Sequence, residues 1–348
     1  MKPEWQLFLE NAGAEIEDGK VVSFGNIERE QRMAHTGLII TDLSHFGLIS
    51  VYGDDASTFL QGQLTNDIRD VSETHSQLSA YCTPKGRMLS NFRVFKREET
   101  FYLRLPRTLL ETTLNRIRKF TLMAKVSMED GSDSLVHFGV SGPTAVQHLA
   151  DFLIELPDNN DDVTQIKGYT IIRVPGIHPR FEIYGELEPM KELWNHLDVH
   201  AAPIGFGPWS RLDILAGIPI IYPETSEAFV PQMTNMQLIN GVNFKKGCYT
   251  GQEIVARMQY LGKLKRRMFL IDIKTDAAVN PGDALFSRDS SSGQGTGTIV
   301  DAQPDSEGGT SALAVINISD TETNQLRLFD ENGPEIIIKD LPYPIDNS

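Results

Sequence analysis

Two cysteines, Cys82 and Cys248, stand in a chain of 348 residues. That is too few for a disulfide framework. No Cys-x-x-Cys and no His pair on one helix face accompanies them, so a zinc site is not expected either. Two thiols from one chain cannot by themselves complete a four-thiolate iron–sulfur centre. No apolar run approaches the about 18 residues of a membrane span, so no membrane association is expected. Positive charge is scarce: 32 Lys and Arg against 47 Asp and Glu leave a net charge of −15. Broad, non-specific binding of nucleic acid is therefore disfavoured. Walker, dinucleotide and nucleophile-elbow motifs are absent. The first residues, Met1-Lys2-Pro3-Glu4-Trp5 followed by Glu10, Glu15, Glu17 and Asp18, read as neither a secretory signal nor a transit peptide. A cytoplasmic protein is expected.

What is present is an apolar share of 40%, enough for packed cores in about two or three domains. An internal repeat suggests their form. Val51-Tyr52-Gly53-Asp54-Asp55-Ala56 and Val140-Ser141-Gly142-Pro143-Thr144-Ala145 both read as a strand end, a glycine turn and a helix start. Alternating strand and helix patterns run from Leu43 to Ala216. After Arg267, short apolar strands separated by Gly/Ser/Asp-rich turns, such as Ser290–Gly295, predict a small all-β barrel. The expected class is α+β, with residues 1–130 and 131–263 as two similar lobes and 264–348 as the barrel.

The densest motif is Lys245-Lys246-Gly247-Cys248-Tyr249-Thr250-Gly251-Gln252-Glu253. It puts a cysteine between two lysines and a helix predicted over Ile254–Met258. Helix-start N–H groups and ammonium charges favour a thiolate there. A small, buried packing cysteine is the alternative. Two basic strips also occur. One is Arg257, Lys263, Lys265, Arg266 and Arg267; the other runs from Arg104 to Lys125. They read either as solvated faces or as walls around an anionic ligand or partner.

This block resembles the signature of the YgfZ family, folate-binding relatives of the glycine-cleavage T-protein. Phe229-Val230-Pro231-Gln232-Met233-Thr234-Asn235, Phe59–Asp67 and Pro84–Asn91 extend the likeness. The resemblance implies two interlocked ferredoxin-like lobes around a central folate pocket, followed by the barrel. It implies tetrahydrofolate or a derivative as ligand, with Phe46, Asn91, Trp209, Gln252, Glu253 and Arg257 as contacts. Lys245 and Lys246 would tune the thiol of Cys248, the residue expected to carry activity. The family tends to have tryptophan where Phe46 stands, so the stacking face is kept and the indole N–H lost. In aminomethyltransferases the strand resembling Gly86–Phe92 carries paired aspartates. Here Ser90 and Asn91 occupy those positions, and neither exchanges a proton near neutral pH. The glutamate of the family's Arg-x-Glu-Ala-Gly element is also missing, with Leu215 before Ala216-Gly217. The expected function is a folate-binding accessory protein that supports iron–sulfur enzymes and tRNA thiomethylation. The net charge favours action on a protein over direct contact with tRNA, which the basic strips leave open. The rivals are a true one-carbon transferase and a non-catalytic interaction module.

Overall fold

The computed structural model describes residues 1–287, 296–322 and 326–345. The expected Ser290–Gly295 loop and Gln325 lie outside them. The chain forms two units. The first comprises Met1–Phe59, Arg69–Gln77 and Arg93–Leu212; the second comprises Leu60–Ile68, Leu78–Phe92 and the chain from Asp213 onward. The class is mixed α+β, as the alternation of patterns implies.

The first unit is built on a six-stranded sheet in the order Val163–Ile166, Tyr169–Arg173, Arg180–Gly185, Val136–Ser141, Ile39–Asp42, Ala202–Ile204. Every neighbouring pair is antiparallel except the last, which is parallel. Successive side chains on a strand point to opposite faces. Ile40, Phe138, Val140, Ile171, Phe181 and Ile183 thus share one face, where they pack with Trp5, Leu9, Met190, Leu193 and Trp194. Those partners belong to helices Pro3–Asn11 and Leu187–Asp198. Each such side chain contributes roughly 1.5–3 kcal/mol by leaving water. The Pro3–Asn11 helix escapes the sequence reading because acidic residues around it mask a short stripe of Trp5 and Leu9, four residues apart and both buried.

A second sheet of the first unit pairs Thr100–Pro106 with Phe46–Tyr52, and Phe46–Tyr52 with Ser127–Asp130. The predicted hairpin is present: Arg93–Arg97 pairs with Thr100–Arg104. Leu48, Phe95 and Tyr102 of this sheet join Ile172, Val174 and Tyr184 of the first in one apolar cluster. Both glycines of the internal repeat sit where a strand turns into a helix, at φ of +116° for Gly53 and +145° for Gly142. A Cβ on Gly53 would strike the Lys125 carbonyl, and one on Gly142 the Gly37 carbonyl. Only glycine fits either turn.

In the second unit the barrel is real and nearly closed. Its order is Leu326–Leu328, Ala284–Ser287, Gly297–Pro304, Thr310–Asn317, Arg266–Ile273, Ile336–Lys339. A bridge between Arg327 and Glu335 brings the outer strands together. Ile271, Leu285, Ile299, Ala314 and Leu328 fill its interior. The predicted helix runs over Gln252–Tyr260. Among the described residues no helix is long and apolar enough to cross a membrane.

Candidate functional site

Two constellations of polar side chains stand out, one in each unit. In the first unit, strand alternation that sends Phe138 and Phe181 to the apolar side sends His137, Gly139, Arg180, Glu182 and Tyr184 to the other. Register pairs Glu182 with Gly139 and Tyr184 with His137. The second sheet adds Phe46, Arg93 and Arg104. All of these side chains are buried. Arg104 Nε lies 3.3 Å from a Glu182 carboxylate oxygen. The Tyr184 hydroxyl donates to the same oxygen at 2.7 Å. Arg93 bonds Asp161 at 2.5 Å and the Ser76 hydroxyl at 3.2 Å.

The electrostatics follow from burial and pairing. Burial pushes the Glu182 carboxyl up, but Arg104, Arg93 and the Tyr184 hydrogen bond outweigh it, and the net shift is downward. Burial, reinforced by Arg104, puts His45 well below its ordinary range. Burial brings His137 to about 4, with Glu182 opposing. Both imidazoles are neutral near pH 7. Burial and the Glu182 charge push the Tyr184 phenol well above its ordinary value.

Phe46 and Trp209 are both in this unit, and both are buried. The Arg104 guanidinium covers the Phe46 ring at 3.9 Å, and Arg180 covers the Trp209 ring at 4.0 Å. Gly139 lies against the indole so closely that a Cβ there would collide with it. These two aromatics therefore act as supports for arginines. Arg104 Nη1, His137 Nε2 and Trp209 Nε1 are buried without a hydrogen-bond partner. Open buried polar atoms occur elsewhere in the chain as well, and these three leave donors or acceptors that a polar ligand or water could meet. Glu182, Arg104, Arg180 and His137 were not singled out from the sequence. The one signal was charge inside strand-like runs, Arg180-Phe181-Glu182-Ile183-Tyr184 above all. Arg104, read within a basic strip as either a solvated face or a wall around an anionic ligand, is buried.

In the second unit, the cysteine motif forms a loop anchored by Lys246. Its ammonium donates to the carbonyls of Gln61, Leu64 and Asn66 at 2.8, 2.6 and 2.9 Å. It also lies 5.0 Å from the Tyr249 ring centre. Its charge satisfies backbone carbonyls of the Phe59–Asp67 motif and fixes the loop. Lys245 and Cys248 are exposed. Gly251 caps the following helix in the left-handed conformation, φ +86°, with Gln252 half-buried and Glu253 and Arg257 exposed. Asn91 is tied to backbone on both sides of its amide. Its amide donates to the Pro219 carbonyl at 2.7 Å and accepts from the Ile221 N–H at 2.9 Å. It clamps the 219–221 backbone. Ser90 beside it is buried.

The two thiols differ sharply. Cys82 is buried, and burial pushes its pKa up to about 12. We expect iodoacetamide at pH 7.5 to add one label to the native protein, at Cys248, and a second only after unfolding. Intact-mass measurement reads both. Rapid double labelling of the folded chain would contradict the burial of Cys82.

Another buried carboxyl lies in the barrel. Asp301 sits at a bulge of the Gly297–Pro304 strand, accepting from Tyr222 at 3.2 Å and from the Ala302 N–H at 2.8 Å. Burial, with the Asp213 charge, pushes its pKa up to about 8 from 3.8. Between those values the folded chain holds a proton that the unfolded chain has released. Its contribution to stability therefore falls as pH rises through that window and levels off above it. Asp301→Asn should remove the slope and raise stability near pH 7 by on the order of 3 kcal/mol. Urea unfolding at pH 4.5 and 7.5 checks this; an unchanged slope would show that Asp301 is ionised in the fold.

Residues 8–243 match the family model described as GCVT N-terminal domain. The chain is 34% identical over 315 residues to the tRNA-modifying protein YgfZ of Yersinia pseudotuberculosis serotype IB (strain PB1/+), covering 90% of this chain and 95% of that one. It is 32% identical over 307 residues to the tRNA-modifying protein YgfZ of Colwellia psychrerythraea (strain 34H / ATCC BAA-681), covering 88% and 93%. Its fold resembles the crystal structure of the glycine cleavage system aminomethyltransferase T from Bartonella henselae, with a TM-score of 0.79 at 18% identity, covering 98% of this chain and 96% of that one. Matched along most of its length by the family model and at more than 30% identity by curated relatives, the chain belongs to the YgfZ family of GCVT-domain proteins.

Proposed function

We propose that this protein supports tRNA modification as a folate-binding accessory of iron–sulfur tRNA-modifying enzymes in the cytoplasm, with Cys248 as its reactive group. The observation that carries the reading is the exposed Cys248 on a loop held by the three-carbonyl cage of Lys246. A packing cysteine needs no such exposure. The relatives named tRNA-modifying proteins, aligned over nine-tenths of the chain, supply the process. The thiolate of Cys248 attacks a disulfide sulfur on the partner enzyme, forming a mixed disulfide and releasing the partner's other sulfur as a thiolate, while Lys245 and Arg257 hold that partner.

The buried cluster of the first unit carries polar groups of the kind a folate would need. A pterin presents adjacent N–H donors on its 2-amino-4-oxo edge, which a carboxylate such as Glu182 accepts side by side. Its carbonyl and ring nitrogens are acceptors for the open donors of Arg104 and Trp209. Tetrahydrofolate, when bound, supplies a carrier for one-carbon groups. Aminomethyl transfer itself is disfavoured: Ser90 and Asn91 hold no proton to exchange, and Asn91 is committed to the backbone. Calorimetric titration with tetrahydrofolate tests the ligand. Saturable binding that Glu182→Gln weakens by at least about tenfold, near 1.4 kcal/mol, is expected for a charge-assisted pair. Absence of binding to the folded wild type would remove folate from the reading.

A further inference from the structure

We infer that the second unit carries an RNA-binding surface around the Cys248 loop, with Lys263 and Lys265 gripping phosphates and Tyr260 offering a ring to a base. This deepens the reading above, from which it takes only the class of RNA. From Phe244 to Arg267 the chain has a single acid, Glu253, although the whole protein carries −15. Lys85, Lys245, Arg257, Lys263 and Lys265 are exposed and make no ion pair among the described residues. A face that merely stays wet mixes both signs evenly; here Glu253 stands against five exposed cations.

Two contacts bring the segments carrying these charges to the two ends of helix Gln252–Tyr260. At the end of the helix, the Tyr260 ring packs edge-on against Phe244 at 6.0 Å, tying the lysine segment to the cysteine loop. At its start, Gly86 lies against the backbone of Gly251 and the side chain of Ile254, which brings the Pro84-Lys85-Gly86 turn to the helix entrance. Tyr260 keeps 68% of its surface in solvent and Leu261 84%.

Two occupants carry the complementary charge, an acidic protein and a nucleic acid. A protein interface needs an apolar core from which charge is depleted. Interfaces with nucleic acid are polar and strongly cationic, and exposed rings interleaved with cations serve as stacking platforms for unpaired bases. The surface here is of the second kind, and it presents the thiol of Cys248 among those cations.

The test uses the full-length protein and a fluorescently labelled, unmodified tRNA transcript in an anisotropy titration. Binding should saturate and weaken steeply as salt rises from about 50 to 200 mM, as counterion release requires. Lys263→Glu/Lys265→Glu should bind at least about tenfold more weakly with a smaller salt slope. Tyr260→Ala should lose about three- to tenfold, the worth of one stacked base. Lys167→Glu, on an exposed turn of the first unit, should bind as the wild type does. No saturable binding at the lowest salt, or equal affinity for the double variant, overturns the proposal. So does a double variant that keeps its RNA affinity but loses tRNA modification in cells, which would assign the surface to an acidic protein. If Cys248→Ala sustains modification in full while RNA binding behaves as described, the functional reading fails and the RNA surface stands.

Discussion

Glu182→Ala should lower the unfolding free energy by about 3–5 kcal/mol, the cost of removing one partner from a buried ion pair. The carboxylate is 1% exposed and has Arg104 at 3.3 Å and the Tyr184 hydroxyl at 2.7 Å. Arg93 retains Asp161 after the substitution, but Arg104 loses its anion while staying buried against the Phe46 ring. A truncation there leaves a cation in a low-dielectric interior with nothing to balance it. The companion variant Glu182→Leu/Arg104→Met removes both charges and their shared desolvation cost, so most of the loss should return. Urea denaturation of the single and double variants measures this. A loss below about 1 kcal/mol for Glu182→Ala would place the pair among solvent-screened bridges. The pH dependence has a definite sign. Glu182 titrates below its ordinary value of 4.5 in the fold, so its stabilisation is complete above that value and is lost as pH falls through the lower, folded one.

Cys248→Ala should abolish support of tRNA modification in cells while leaving the fold intact. The side chain is exposed, so its removal opens no cavity, and stability should change by no more than about 0.5 kcal/mol. Loss of function with an unchanged denaturation curve separates chemistry from folding. Lys246→Ala should behave differently. It strands three carbonyls that the ammonium now satisfies, so it should cost about 1–3 kcal/mol and loosen the loop. Mass-spectrometric analysis of modified nucleosides, in cells lacking the native protein, reads the outcome for both. Full modification with Cys248→Ala would move the protein to a non-catalytic interaction role.

Much of the second unit is legible from the chain alone. The Lys245–Glu253 block announces its family by letter order. The predicted helix after it is capped by Gly251, because a left-handed entry calls for glycine. The β-barrel follows from short apolar runs between turn-forming residues, a pattern local to each strand. The direction taken by a long side chain is not local. Lys246 stands two residues from Cys248, yet its four-carbon stem delivers the charge to carbonyls of residues 61–66, about 180 positions earlier. Sequence adjacency shows its place beside the thiol and not its role as an anchor.

The buried charges of the first unit show the same division more sharply. Period-2 alternation in Val136–Ser141 and Arg180–Gly185 already separates Phe138 and Phe181 from His137 and Glu182. Alternation cannot say whether the polar face meets water or a second sheet. In a one-sided sheet, Arg180, Glu182 and Arg104 would be solvated and unremarked. Here the strands carrying Phe46, Arg93 and Arg104 cover that face. What the sequence by itself determined was local: strand periods, glycine turns, the motif and the missing acid/base carboxylates. Only the tertiary structure decided which polar face was enclosed, because burial depends on what packs against a strand, and that partner comes from a distant part of the chain.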